Sequence, residues 1–394
     1  MNRKRYLVLA MALFVLGLSS LHAQKPTFQY GPWVTNVSET GFTVVWTTPV
    51  KTFCRVDIAP DDGTPWGLKN RQEFYQVISG RRQAGTFHSV EVSGLEPGRS
   101  YRYKVYGKVV TDDSDAYGID YGPEVALRLE DDSTVRTLDK NAASCSFFML
   151  NDIHGNDTRF QALTKNIDTD VMDFFVMNGD MVSYITDEAS LHQHVFGAGK
   201  GIVSGLPVVY ARGNHETRGR DAHLFARNCP TSTGEPYYMF RQGPVAFLVL
   251  DAGEDKPDRS PEYSGYADFD SYRQTQLEWL KSVVQDPVFI EAPLKVVLMH
   301  IPAIGNKKSW YGQKWVADNF VPVLNAAGVD LMLSGHHHEH VYMETGSCGN
   351  GFPIIANDDT DRLEFTADAD GYKVVTYDQE GNAGHVYEMK NSSN

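Results

Sequence analysis

The stretch PVVYARGNHE, residues 207–216, is apolar and β-branched through Ala211 and then breaks at Arg212-Gly213-Asn214-His215-Glu216. Such a run reads as a buried strand ending at a turn marked by Gly213. The Asn214 carboxamide is a weak metal ligand and the His215 imidazole a versatile one. Side by side at a strand end, they can serve a cation and a reacting oxygen separately. Taken alone, the stretch fits a turn carrying an exposed imidazole better. Its weight comes from other apolar runs that end in the same manner.

Residues 146–150 lead into Asn151-Asp152-Ile153-His154-Gly155, and residues 173–177 into Asn178-Gly179-Asp180. Residues 296–299 stop at His300-Ile301-Pro302, and residues 329–333 at Ser334-Gly335-His336-His337-His338. In an open α/β sheet the residues just past the carboxyl ends of the strands converge on one crevice, so five such termini can build one site. The groups offered are carboxylates, imidazoles and one amide, without a thiolate. That donor set suits zinc, manganese or iron. Three successive imidazoles after a buried strand are not apolar filling.

Around this centre the chain divides. Asn2-Arg3-Lys4-Arg5, an apolar run over residues 7–18 and the small residue Ala23 read as a secretory signal peptide over residues 1–23, too short to span a bilayer. The expected product is exported, periplasmic or secreted, with no membrane anchor after cleavage. Residues 24–394 exceed what one core usually holds, so two domains are expected: 24–141 and 142–394. The net charge of −14, more negative once the leader's cations are lost, argues against nucleic-acid polymers as partners. Cys54, Cys145, Cys229 and Cys348 lack the CxxC spacing of a zinc site; export allows disulfides, with Cys229–Cys348 the pair considered and Cys145 a buried thiol. His192 and His194, at i and i+2, share no helix face and are expected at the surface.

Residues 40–47, 86–92 and 101–110 are rich in β-branched and aromatic residues and predict an antiparallel sandwich. Within it, Leu95-Glu96-Pro97 feeds a strand whose first tyrosine, Tyr101, can turn its hydroxyl back onto that turn. From Cys145 onward strands alternate with helical stretches, at residues 158–167, 271–284 and 316–327, and residues 372–377 and 384–389 predict a closing hairpin.

Asp-x-His, Gly-Asp, Gly-Asn-His-Glu, a strand-terminal His and Gly-His-x-His in this order resemble the calcineurin-like metallophosphoesterase superfamily. The N-terminal third, with Trp46 and the tyrosine turn, is similar to the fibronectin type III-like domain of purple acid phosphatases. The resemblance implies a β-sandwich followed by a four-layer α-β-β-α metallophosphoesterase sandwich. It implies two divalent or trivalent metal ions, one held by Asp152, His154, Asp180 and His338, the other by Asp180, Asn214, His300 and His336. Asp180 would bridge them. His215 would hydrogen-bond the phosphoryl oxygen or protonate the leaving alkoxide, and a metal-activated hydroxide would attack in line.

True purple acid phosphatases have Asp-x-Gly at the first motif and a tyrosine three residues after the bridging aspartate. Here His154 replaces that glycine and Tyr184 stands four residues after Asp180, so a metallophosphoesterase without the purple tyrosinate is expected. The implied substrate is a small phosphorylated molecule, a phosphomonoester by the leaning of the N-terminal domain, with phosphodiesterase or nucleotidase activity as alternatives. Candidate substrate contacts are Arg218, Arg220, His223, Trp310 and Tyr311, basic and aromatic side chains on loops after the motifs. Two readings of another class are an exported binding protein with an inactive hydrolase domain and a metal hydrolase acting on a carbonyl substrate.

Overall fold

The computed structural model of the chain describes residues 25–127 and 133–390; the leader expected over residues 1–23 lies outside them. The strand-rich first third forms β1 (Tyr30–Thr35), β2 (Gly41–Pro60), β3 (Ala84–Ser93), β4 (Ser100–Asp112) and β5 (Ser133–Arg136), paired antiparallel. Strand β2 is 20 residues long, far beyond the run at residues 40–47, because its first half pairs with β1 and β3 and its second half with β4. Trp46, Val56, Ile58, Tyr103 and Val105 are buried among these strands. The Glu96 amide donates to the Tyr101 hydroxyl oxygen at 2.9 Å, which closes the expected tyrosine turn.

The chain from Cys145 builds two sheets. Strands β6 (Cys145–Leu150), β7 (Phe174–Asn178) and β8 (Val208–Ala211) run parallel, and β9 (Tyr238–Gln242) and β10 (Val245–Val249) form an antiparallel pair. Strand β10 continues in parallel to β11 (Leu294–Leu298), β12 (Leu331–Ser334) and β14 (Ile354–Ala356), with β13 (Val341–Met343) at the edge. Beyond β6 lie β15 (Arg362–Asp368), β16 (Gly371–Tyr377) and β17 (Ala383–Lys390), the last two being the expected hairpin.

Apolar residues on both faces of these strands explain the layering. Phe147 and Phe174 pack with Phe247, Val296 and Leu331 between the sheets. Their neighbours Phe148 and Phe175 face the other way, toward Phe160 and Leu163 of α1 (Asp157–Thr164). On the far side of the second sheet, Leu248, Val297 and Met332 are covered by Leu277 and Leu280 of α2 (Phe269–Val283) and by Val316, Phe320 and Leu324 of α3 (Tyr311–Ala326). Helix α3 begins five residues before the expected start at 316, because its first turn buries Gly312 and Gln313 rather than apolar side chains.

Two expectations, on the cysteines and on His192, are corrected, and the strands pair across the chain: β1 runs parallel to β8 through Thr35↔Val208, so the N-terminal strands and the later ones share one sheet of 14 described strands. Trp33 seals that junction, stacked on Phe196 at 3.9 Å and donating its indole N–H to the Asn228 carbonyl at 2.8 Å. All four cysteines are free thiols, so Cys229–Cys348 is not a disulfide. Finally, His192 is buried beside Trp33, its Nε2 2.7 Å from Asn228 Oδ1, whereas His194 is half-exposed with Nδ1 2.9 Å from Asp157.

Candidate metal centre

The parallel registers Leu150↔Met177, Asn178↔Ala211 and Leu298↔Leu333 keep the carboxyl ends of the strands level, and the loops leaving them are stitched together across the sheets. His300 Nδ1 donates to the Asn178 carbonyl at 2.7 Å, and Asn178 Nδ2 donates to the Leu333 carbonyl at 3.1 Å. The amides of Asp152 and His154 donate to Gly179 O and Asp180 O, and the His336 amide donates to Asp152 Oδ2 at 2.7 Å. Glu216 ties the two turns of the first sheet: its buried carboxylate accepts the amides of Gly213, Asp180 and Met181 and the Tyr210 hydroxyl.

These loops are bent to the limit. Of the eight described non-glycine residues with positive φ, five are Asp152, His154, Asp180, His336 and His338, at 53° to 75°. Side chains rarely adopt this conformation, and its concentration in five candidate ligands marks a functional site. The glycines serve close approach. Gly179, at φ 79°, leaves no room for a Cβ, which would sit 2.5 Å from the His300 ring. Gly213 is required because a Cβ there would lie 2.2 Å from Asp180 Oδ1, not because of a left-handed turn.

The side chains converge as two groups joined through Asp180. Ligand atoms of Asp152, His154 and His338 lie within 4.8 Å of one another, as do those of Asp180, His300 and His336. Asp152 Oδ1 is 3.5 Å from His338 Nε2 and 3.9 Å from His300 Nε2, and Asp180 Oδ2 is 3.0 Å from His300 Nε2. The second ring nitrogens are oriented from behind: His154 Nδ1 by the Ser183 hydroxyl at 3.3 Å, His338 Nδ1 by Asp359 at 3.4 Å, and His300 Nδ1 by Asn178. Outer partners of this kind commonly fix a metal-binding imidazole.

Whether a cation fits is answered by the atoms left over. Asp152 Oδ1, Asn214 Oδ1 and His300 Nε2 are buried without a hydrogen-bond partner, the last despite its 3.0 Å approach to Asp180. They come from three different strand ends and are all potential metal ligands. Burial without compensation is costly, and a cation among them removes the cost. Protonation agrees. Burial holds His154 down to about 4 and His336 down to about 3, which leaves both imidazoles free to ligate near neutral pH. For His300, burial is outweighed by the carboxylates of Asp180 and Asp152, which raise it to about 10. A proton on His300 thus stands where a metal's charge would go.

His215 also falls near His154 and Asp180. Its Nε2, however, lies 3.0 Å from Arg218 NH1, and its Nδ1 lies 2.9 Å from the Ser183 carbonyl. A guanidinium on the Nε2 lone pair excludes a metal there, so the imidazole is separate from the ligand cluster. Its amide donates to Asp180 Oδ1 at 2.8 Å, and the Tyr184 ring lies edge-on at 6.0 Å. His337 turns instead to Gln313.

Of the candidate substrate contacts, Arg218 alone reaches the His215 ring. Arg220 and His223 are exposed on the following loop, joined by a 3.2 Å approach of His223 Nδ1 to the Arg220 carbonyl. Trp310 and Tyr311 stand half-exposed at the head of α3; Lys256 Nζ lies 5.3 Å from the Trp310 ring and the Tyr311 hydroxyl donates to Asp270. Among the described residues, no hydrogen bond or ion pair ties these four to the cluster.

Sequence reading missed Glu254 and Asp359. Both follow apolar runs, at residues 245–250 and 354–356, that end as the five recognised ones do, in Asp251-Ala252-Gly253-Glu254 and Asn357-Asp358-Asp359. Asn151, whose side chain donates to Asp152 Oδ2 at 2.9 Å and exchanges bonds with Asn357, was hidden by lying directly before a stronger ligand.

Carboxylate, imidazole and amide donors at the ends of these strands make a candidate metal centre. Residues 146–340 match the model of the calcineurin-like phosphoesterase family. The chain is 25% identical over 184 residues to the human serine/threonine-protein phosphatase CPPED1, covering 42% of this chain and 54% of the relative, and similarly to the Pongo abelii protein. The chain thus spans about half the length of the curated relatives it matches. Among solved structures, GAP50, the anchor in the inner membrane complex of Plasmodium, aligns at 15% identity and TM-score 0.45 over 64% of this chain and 90% of that one. A predicted phosphoesterase of Streptococcus pneumoniae aligns at 10% identity and TM-score 0.31 over 64% and 99%.

Proposed function

We propose that this chain hydrolyses phosphate esters, phosphomonoesters foremost, at a centre of two metal ions. Asp152, His154, Asp180 and His338 would hold one ion and Asp180, Asn214, His300 and His336 the other, zinc, manganese and iron all suiting the donors. When bound, the ions supply Lewis acidity toward the phosphoryl oxygens and activation of the attacking water. The chain's own part is positional. Asp180 links both groups, Glu216 locks the two turns that carry Asp180 and Asn214, and His215 stands beside the cluster to meet the phosphoryl group. The carrying observation is the trio of partnerless buried atoms, Asp152 Oδ1, Asn214 Oδ1 and His300 Nε2.

The wider reading is an exported enzyme, periplasmic or secreted, whose leader is removed, with a fibronectin type III-like domain over residues 24–141 and a four-layer catalytic domain over 142–394. No described helix is long and apolar enough to cross a membrane. The proposed partner is a small phosphorylated substrate rather than a nucleic-acid polymer, in keeping with the acidic charge.

The test is a panel of p-nitrophenyl phosphate, bis-p-nitrophenyl phosphate, an alkyl phosphate and p-nitrophenyl acetate, assayed before and after chelation. Hydrolysis of the monoester is expected to vanish with the chelator and return with zinc, manganese or iron, with the acetate untouched. Chelator-resistant turnover, or metal-dependent cleavage of the acetate alone, would overturn the reading.

A further inference from the structure

We infer that Tyr184 is a specificity-determining residue: its ring is a platform beside the site for a flat leaving group, so that the preferred substrates are phosphomonoesters whose alcohol carries an aromatic ring, a phenol or a nucleoside. The inference rests on the phosphoesterase reading above and adds to it the chemistry of the group that leaves.

The residues after Asp180 differ sharply in burial. Met181, Val182 and Ile185 are buried, whereas Tyr184 is 53% exposed. Ser183 lies against the site, its Oγ 3.3 Å from His154 Nδ1 and its carbonyl 2.9 Å from His215 Nδ1. Tyr184 follows directly, and its ring centre is 6.0 Å from that of His215 with the planes 64° apart. Among the described residues it is the one ring other than a histidine's that packs against an imidazole of the site. A lone exposed ring on an open surface is ordinary. This one is the neighbour of the group that meets the phosphoryl oxygen.

The side chain is exposed, but its backbone is braced. The Ile185 amide donates to the Arg218 carbonyl at 2.8 Å, and the Asp221 amide donates to the Ile185 carbonyl at 3.0 Å. Gly219 permits that approach, since a Cβ there would sit 2.4 Å from the Ile185 carbonyl oxygen. Arg218 is fixed in turn: its Nε donates to Oε1 of the buried Glu254 at 2.7 Å and its NH2 to Oε2 at 2.8 Å, a two-pronged pair that matches its charge. A half-exposed ring on so held a loop has little freedom left to lose when a ligand lies against it.

The consequence is one of contact. Water forms the new P–O bond and gives up a proton to solvent, and the electron pair of the old P–O bond leaves on the alcohol's oxygen. Tyr184 takes part in neither event. With His215 at the phosphoryl group, the alcohol that the phosphorus carries comes beside the tyrosine, where a flat ring finds an aromatic face to stack on. An aliphatic group of the same size lacks the ring–ring attraction. Contact made equally before and during the reaction shows in KM and not in kcat.

The test uses the purified metal-loaded protein and its Tyr184→Ala and Tyr184→Phe variants. Calorimetry gives the affinities for phenylphosphonate and cyclohexylphosphonate, inert analogues of similar size, and kinetics give KM and kcat on phenyl phosphate, adenosine 5′-monophosphate and glycerol 2-phosphate. Thermal unfolding shows that each variant folds. Wild type is expected to bind the phenyl analogue about 3 to 10-fold more tightly than the cyclohexyl one. Tyr184→Ala should lose that preference and raise KM on the aromatic substrates with kcat little changed, and Tyr184→Phe should keep the preference. The substrate whose KM rises more in Tyr184→Ala, phenyl phosphate or the nucleotide, names the source of the ring. Equal affinity of wild type for the two phosphonates, or a preference that survives in Tyr184→Ala, would overturn the inference. So would a fall in kcat on all three esters with KM kept, which would make the tyrosine part of the framework of the site. Hydrolysis without the phenyl preference refutes the platform alone, whereas a wild type that hydrolyses none of the esters refutes the phosphoesterase reading and the platform with it.

Discussion

Asp180→Asn is expected to abolish phosphoesterase activity and to lower metal content at both halves of the site. Asp180 is 1% exposed, its Oδ1 is engaged by the His215 amide and its Oδ2 lies 3.0 Å from His300 Nε2. Burial opposes its charge, but His300 and His215 hold the carboxyl below the usual carboxylate range in the folded chain. An amide of the same shape removes that charge from a place where five imidazoles and an amide converge. Several kcal/mol of lost transition-state stabilisation, at 1.36 kcal/mol per tenfold, is roughly 1,000-fold or more in kcat. The fold should survive, since the change keeps size and the Oδ1 acceptor. The measurement is kcat on p-nitrophenyl phosphate beside elemental analysis of the variant. Normal turnover with metal content unchanged would remove Asp180 from the centre.

His215→Ala is expected to leave metal content nearly intact and to cost nearly as much in rate. Because both ring nitrogens are engaged, by Arg218 and by Ser183, the imidazole contributes no ligand and the ions should remain. Turnover should fall by about 100 to 10,000-fold, the range for a lost electrostatic or acid–base partner. Equal factors on an aryl and an alkyl ester would mark stabilisation of the phosphoryl oxygen. A defect confined to the alkyl ester would instead make His215 the proton donor to the leaving oxygen. Loss of one metal equivalent would make it a ligand, with Asn214 only shaping the turn.

Much of the site was legible because its residues sit where apolar runs stop. Asp152, His154, Asp180, Asn214, His300, His336 and His338 each follow such a run, and ligand atoms of the two aspartates and four histidines among them fall in adjoining groups. The parallel strands were legible for the same reason: buried on both faces, they are written as nearly unbroken apolar stretches. Long-range pairing was not legible. The Thr35↔Val208 register that merges the N-terminal strands into the main sheet, and the Trp33–Phe196 stack beside it, join residues far apart in the chain with no local signature. The half-buried polar network also escaped notice. Arg218 reads as a free cation on a loop, and only its fork with Glu254 reveals that its charge is already matched. His192 misled in the opposite sense, since spacing on a helix says nothing about a tryptophan arriving from another part of the chain.

The most direct measurement is the metal stoichiometry of the purified full-length protein, taken by elemental analysis after reconstitution and removal of free ions. The account predicts two equivalents of zinc, manganese or iron per chain, reduced in Asp152→Asn and Asp180→Asn variants that remain folded. A chain that holds no metal, or one whose metal survives both substitutions undiminished, would contradict it.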